Sequence, residues 1–250
     1  MPNNIAQSAV IDPSAILGVG VTVMENSIIR ANVQIGDRSV IGPYCIIGEY
    51  QSNYYENTTV YRNPPTRIGS GAEIRSHSII YSGTRLGEEF RSGHNMIIRE
   101  NSSFGDCCLF GSFCQTDEEV RVGNYTRCHS RVFLASGMVI GEYSCLYPNV
   151  TTTDVRYPPY RKEVAAPEIG ERVVVGADVT LLSGIKIGDD AFIAAGSLVS
   201  RNIPAGMFAR GRPARSEKSV SEIGKEASKL SRIFPFDKEI IRKYKKNNHN

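Results

Sequence analysis

Large aliphatic residues recur at every sixth position along most of this chain, and few folds accommodate that period. Stepping by six from Ile5 passes Ile11, Leu17, Val23, Ile29, Ile35, Ile41 and Ile47. The register resumes at Ile68 and runs to Leu146, then resumes at Ile169 and runs to Val199. Of these 28 positions 26 are apolar, Ser92 and Thr116 being the exceptions. A second column, four residues after the first, holds mostly Ala, Val, Ser, Cys and Thr. A helix needs a period near 3.6 and a strand strict alternation, so neither alone explains a sustained period of six.

Three short flat strands joined by three turns do explain it. Each strand points one large and one small side chain inward, and successive coils stack about 4.8 Å apart. The expected fold class is therefore all-β, a left-handed parallel β-helix of about nine coils. The glycine that often follows the large residue, as in Ile35-Gly36, Ile41-Gly42 and Leu86-Gly87, reads as conformational freedom for a tight turn. Aliphatic side chains fill such an interior, which leaves the outer surface for chemistry. A purely structural prism is the plain alternative, and the two breaks in register argue against it.

The β-helix is expected to span residues 1–215, with long loops at 51–67 (QSNYYENTTVYRNPPTR) and 152–168 (TTDVRYPPYRKEVAAPE). Long loops on a rigid scaffold are common binding elements, and Tyr and Arg supply flat faces and charge for a base and its phosphates. Residues 216–250 lose the period. EIGKEASKLSRIF reads as an amphipathic helix capping the last coil, DKEIIRKYKK as a second short helix, and the lysine-rich terminus as a disordered, solvated end. The net charge of +3 is too small to imply a nucleic-acid partner. No apolar run approaches a membrane span and the N-terminus lacks a basic-then-apolar leader, so a cytoplasmic protein is expected, with no membrane partner. Among the six cysteines there is no C-x-x-C, and four occupy inward positions of the repeat, which reads as reduced core cysteine.

Counting coils puts the hexads at 74, 92, 110, 128 and 146 on one corner, so His77 and His94 sit on neighbouring coils there. The second loop is expected to leave from the same corner. His94 follows the polar interruption at Ser92 and is the candidate base, since an imidazole titrates close to working pH. An exposed histidine without a role is the alternative. Zinc from His77, His94 and an acid has no spacing motif behind it, and no metal is expected. Toward the end, main chain at Ser183, Ala195 and Gly196 offers N–H groups for a thioester or for pantetheine amides. Arg201, Arg210, Arg212 and Arg215 read as a positive cluster for a phosphorylated ligand. No Walker loop or dinucleotide fingerprint is present.

The segments IGPYCIIG, AEIRSHSIIYSGTRLGEEFRSGHNMIIRE and IGDDAFIAAGSLVSRNIPAGMFARGRPAR resemble the bacterial hexapeptide-repeat acyltransferases. The resemblance covers about residues 5–215 and is nearest to the N-acyltransferases of nucleotide-linked amino sugars. It implies a homotrimer that takes an acyl group from acetyl-CoA or another acyl-CoA, with the cofactor in a groove between subunits. His94, steadied by Asn95 and matching the family's GHN-like segment, is the chosen base, and the resemblance implies Gly196 with nearby main chain on the pantetheine arm. Tyr54, Tyr55, His77, Asp154, Arg156 and Tyr157 would hold a dTDP- or UDP-linked sugar. Two alternatives stay open: O-acetylation of a small alcohol or amino acid, and a metal-dependent hydratase-like or scaffold protein of this fold.

Overall fold

A computed structural model describes residues 2–156, 158 and 165–226. Two-residue strands repeat along the chain and pair in parallel with the strand one coil away, as in Asn4–Ile5 with Thr22–Val23. They build three sheets around a triangular prism, which is a left-handed parallel β-helix. Sheet 1 starts with Asn4–Ile5, sheet 2 with Val10–Ile11 and sheet 3 with Ile16–Leu17. Sheet 2 contains ten strands, and the tenth coil closes with an isolated bridge between Ile203 and Ile187 in place of a full strand of sheet 3.

The first column of the repeat is the core. Ile29, Ile41, Ile47, Ile80, Ile98, Leu134 and Leu181 are fully buried, and the small column fills between them with Val21, Ser27, Cys45 and Cys114. Cys45, Cys108, Cys114 and Cys128 point inward, and all six cysteines are free. Burial pushes the thiols of Cys45 and Cys114 up to about 11 and that of Cys108 to about 12, which removes thiolate chemistry there.

The turns correct the expectation about glycine. The backbone visits the left-handed region three residues after the inward aliphatic, where eighteen non-glycine residues among those described have φ between 54° and 63°. They include Tyr44, His77, Phe113 and Tyr125, bulky residues that pay for that conformation individually. Glycines directly after the aliphatic meet a different demand, close approach, and only Gly48 of those described adds a positive φ, 79°. A Cβ on Gly36 would lie 2.5 Å from the Ser70 nitrogen on the next coil, and one on Gly87 would lie 2.5 Å from the Gly105 carbonyl carbon.

Thr152, expected to begin the second loop, is instead an inward core residue of the strand Thr151–Thr152. With it the large column has three polar members, and all three do the same thing. In ordinary rungs the N–H after an inward residue bonds to a main-chain carbonyl one coil on, as Gly93 does to Phe110 at 2.8 Å. At the polar rungs a hydroxyl takes its place: Arg75 N–H donates to Ser92 Oγ at 2.7 Å, Arg99 to Thr116 Oγ1 at 3.0 Å, and Ala135 to Thr152 Oγ1 at 2.8 Å. Ser92 is thus a structural substitution rather than a mark of the histidine beside it.

The first loop leaves after Ile46–Glu49, carries a short helix at Ser52–Glu56 and returns in Thr66–Ile68. The second returns in Glu168–Ile169. Both therefore leave at the end of sheet 2, on the edge shared with sheet 3, and not from the corner that carries His94. Beyond the coils, Met207–Gly211 joins sheet 1 and Ala214–Ser219 runs antiparallel to it. Strand thus extends into the tail as far as Ser219, and the helix Val220–Glu226 overlaps the start of the EIGKEASKLSRIF segment expected to be helical. The second helix and the disordered end fall on residues 227–250, outside the described residues. Among the described residues no helix is long and apolar enough to cross a membrane.

Stacked core side chains flanked by coils on both sides cannot relax around a void. Ile98→Ala and Ile140→Ala should each lower stability by about 2–5 kcal/mol in urea unfolding. A loss under about 0.5 kcal/mol at both positions contradicts this register.

Candidate functional site

Two edges of the prism carry the functional candidates, and sheet 2 lies between them. The edge between sheets 1 and 2 holds the turns after Ile41, Ile74, Ser92, Phe110, Cys128, Leu146 and Ile193. His94 is on the coil two after the one that emits the first loop. Its main chain is held on both sides: His94 N–H donates to Ser112 Oγ at 3.0 Å, and its carbonyl accepts from Phe113 N–H at 2.9 Å. Its ring Nδ1 lies 2.7 Å from Ser76 Oγ. Ser76 stands one coil before His94, so the 18-residue spacing was the signal that could have found it.

Asn95 does not do this work. It is an exposed turn residue at φ 55° whose N–H donates to the Ser76 carbonyl at 3.0 Å. His77 also faces away from a shared task, with its ring parallel to Tyr44 at 5.0 Å. His129 stacks on Tyr147 at 4.8 Å. The three histidines therefore have three separate partners, and among the described residues no three His, Cys, Asp or Glu side chains gather as a metal site.

Further along the same edge are Ala195 and Gly196. The Gly196 N–H is already bound to the Ala177 carbonyl at 2.8 Å, while its own carbonyl accepts from Arg212 Nη1 at 3.2 Å. The N–H groups of Leu182, Ser183 and Gly184 are likewise taken, by Val199 O, Thr153 Oγ1 and Ala165 O. Ala195 is left as the turn residue whose N–H has no partner among the described residues. The four arginines do not form one cluster. Arg210, Arg212 and Arg215 lie on the hairpin that extends sheet 1, where Glu217 pairs with Arg210 at 2.7 Å. Arg201 lies on the other edge, after Leu198–Val199.

That other edge, between sheets 2 and 3, gathers the two loops. Tyr54 stacks on Tyr50 at 4.0 Å and meets Tyr55 and Tyr61 edge-on at 5.1 and 5.4 Å. Arg30 lies over Tyr50 at 4.3 Å, so the inner rings are occupied by one another and by a cation. Tyr55, 74% exposed, keeps an open face. Between the two loops runs a network that sequence reasoning missed. Arg99 binds both oxygens of buried Glu100 at 2.7 and 2.9 Å and lies 3.6 Å from Glu118 and 3.9 Å from Asp117. Burial first, then Glu118, raises the Asp117 carboxyl above its usual range; Arg99 opposes this and Asp154 adds to it. Arg99 and Asp117 are one coil apart, again the spacing that would have paired them. Arg156 is exposed, and Tyr157 lies outside the described residues.

The repeat matches the bacterial transferase hexapeptide model over residues 14–49 and 166–201. The chain carries hexapeptide repeats of that kind in those two stretches. It is similar to the bifunctional protein GlmU of Clostridium botulinum, 27% identical over 206 residues that cover 80% of this chain and 43% of that protein. GlmU of Nocardia farcinica is 25% identical over 202 residues, covering 80% and 37%. The chain spans less than half the length of these relatives. Among solved structures it is similar in fold to an Arabidopsis UDP-N-acetylglucosamine acyltransferase, with TM-score 0.63, 18% identity and coverage of 89% of this chain and 76% of that one. LpxA from Acinetobacter baumannii gives TM-score 0.53 at 19% identity, covering 89% and 77%.

Burial, and secondarily Arg127, pushes the titration of His129 below the ordinary imidazole value of 6.5. The unfolded chain then takes up the proton first. The neutral ring contributes stability that is complete above about pH 6.5 and is lost as pH falls through the lowered folded value. His129→Phe should remove that part of the pH dependence of the urea midpoint. The NMR titration of His129 should move upward in Arg127→Gln.

Proposed function

We propose that this protein is an acyl-CoA-dependent N-acyltransferase that places an acetyl or short acyl group on the amine of a nucleotide-linked amino sugar, as a homotrimer with its sites between copies. The observation that carries this reading is the character of sheet 2. Its outward positions hold Val10, Ile28, Ile46, Ile79, Ile97, Phe133 and Leu198, with the neutral Gln115, Thr151 and Thr180 among them, whereas sheet 3 presents Arg67, Arg85, Arg121 and Lys186. A face so largely aliphatic along a prism seeks a partner. Three such faces turned toward a common threefold axis bring the His94 edge of one copy against the loop edge of the next. The histidine and the tyrosine, arginine and carboxylate groups, kept apart within one chain, then border one cleft. The match to a transferase repeat supports the same class of chemistry.

In that cleft the amine nitrogen attacks the thioester carbonyl carbon. The C–N bond forms, the carbonyl becomes an oxyanion, and a main-chain N–H such as that of Ala195 is the type of donor that stabilises it. The attacking nitrogen must shed a proton, and His94 Nε2 accepts it. The C–S bond then breaks, the amide carbonyl re-forms, and the departing thiolate takes the proton from the imidazolium to leave coenzyme A as free thiol. The arginines at 212 and 215 face cofactor phosphates, with Arg210 already tied to Glu217. Asp154, Tyr55 and the acids beside Arg99 offer the sugar and its ammonium polar and charged partners. If the product is an ester, the O-acetylation reading takes over.

Supplying acetyl-CoA with a dTDP- or UDP-linked amino sugar should release coenzyme A thiol and form an amide detectable by mass spectrometry. His94→Asn should lower kcat about 10²- to 10⁴-fold while coenzyme A affinity by calorimetry stays nearly unchanged. A wild-type protein that binds no coenzyme A overturns the reading.

Light scattering should give three times the 27.5 kDa chain mass. An arginine at both Ile79 and Ile97 should reduce it to one. A stable wild-type monomer contradicts the assembly.

A further inference from the structure

An imidazole has two nitrogens, and His94 has committed one of them. Nδ1 is engaged with Ser76 at 2.7 Å, and Nε2 has no partner among the described residues. In a neutral ring one nitrogen carries the proton and the other offers a lone pair, so whatever fixes Nδ1 decides what Nε2 can do. If Ser76 accepts, Nδ1 bears the hydrogen and Nε2 is a base. If Ser76 donates, Nε2 bears the hydrogen and is only a donor.

We propose that Ser76 is a positioning residue that accepts the Nδ1–H of His94 and so keeps the Nε2 lone pair available to the attacking amine. The inference rests on the acyl-transfer reading above and specifies how its base is prepared. Three features of the turn carry it. The His94 main chain is pinned by Ser112 Oγ and Phe113 N–H, and the neighbouring Asn95 N–H is bound to the Ser76 carbonyl, so the ring torsions are the freedom that remains. Ser76, Ser112 and Ser130 hold the same turn position on successive coils around His94. The Ser112 hydroxyl spends itself on main chain, whereas the Ser76 hydroxyl makes no other bond among the described residues. Ser76 is also partly exposed, which lets water take its own hydroxyl hydrogen while its lone pairs face the ring.

The test combines a spectrum with kinetics. Nitrogen-15 NMR of histidine-labelled protein distinguishes the two tautomers, and the His94 signals are those lost in His94→Asn. The wild-type ring should be chiefly the Nδ1–H form at a pH where it is neutral. Ser76→Ala should shift it toward Nε2–H and lower kcat about 10- to 100-fold, the range typical of a partner that orients a histidine, with KM changed less than about twofold. Ser76→Asp, which can only accept, should retain the Nδ1–H form and recover most of kcat. A wild-type ring in the Nε2–H form overturns the proposal, and so does a Ser76→Ala protein whose spectrum and kcat are both unchanged. The spectrum is independent of turnover. A His94→Asn protein of normal kcat therefore removes the acyl-transfer role of His94, while the tautomer stands or falls on its own result.

Discussion

Main-chain hydrogen bonds between residues one coil apart hold each strand of this prism to its neighbours. The strands are too short to pair by any other means. A two-residue strand has almost no stability of its own; it exists because a matching strand lies about 4.8 Å above and below it. From that follow the solid aliphatic interior, the close contacts that demand glycine after Ile35 and Leu86, and the left-handed turns tolerated at Tyr44, His77 and Phe113. Local preference yields to stacking wherever the two conflict.

Function is confined by the same geometry. With the interior filled, side chains with chemistry stand on faces and edges, in columns that advance one coil at a time. Ser76, His94 and Ser112 form one such column; Tyr81, Arg99 and Asp117 form another. Sheet 2 separates the two edges, so no bending of the chain can bring His94 to the loops. A site that needs both must be completed across an interface, and the uncharged outer face of sheet 2 is suited to lie in one.

Much of this was legible in the sequence, because the period of six is imposed by sterics at every coil. The fold class, the buried column and the edge that carries His94 follow from counting alone. What was hidden has identifiable causes. Thr152 is polar and reads as loop, which sets the second loop on the His94 edge, whereas its burial in Thr151–Thr152 carries the chain to the far end of sheet 2. Glycine after the aliphatic suggests unusual dihedrals, which Gly48 adopts, whereas at Gly36 and Gly87 the lack of a Cβ is what matters. Ser76 lies one coil from His94 and so is remote from it along the chain, where Asn95 is the adjacent polar residue. In a solenoid the informative neighbour is 18 residues away.

The hydroxyl rungs at Ser92, Thr116 and Thr152 give the prism something that uninterrupted main-chain pairing lacks. A carbonyl acceptor belongs to every amino acid and survives any substitution, whereas a serine or threonine oxygen disappears with one codon. These three joints of the large inward column are therefore addressable by the genetic code. One adjoins the His94 turn, one lies under the Arg99 network, and one sits at the root of the second loop. Drift at these three places can loosen the stack locally, beside its working edges.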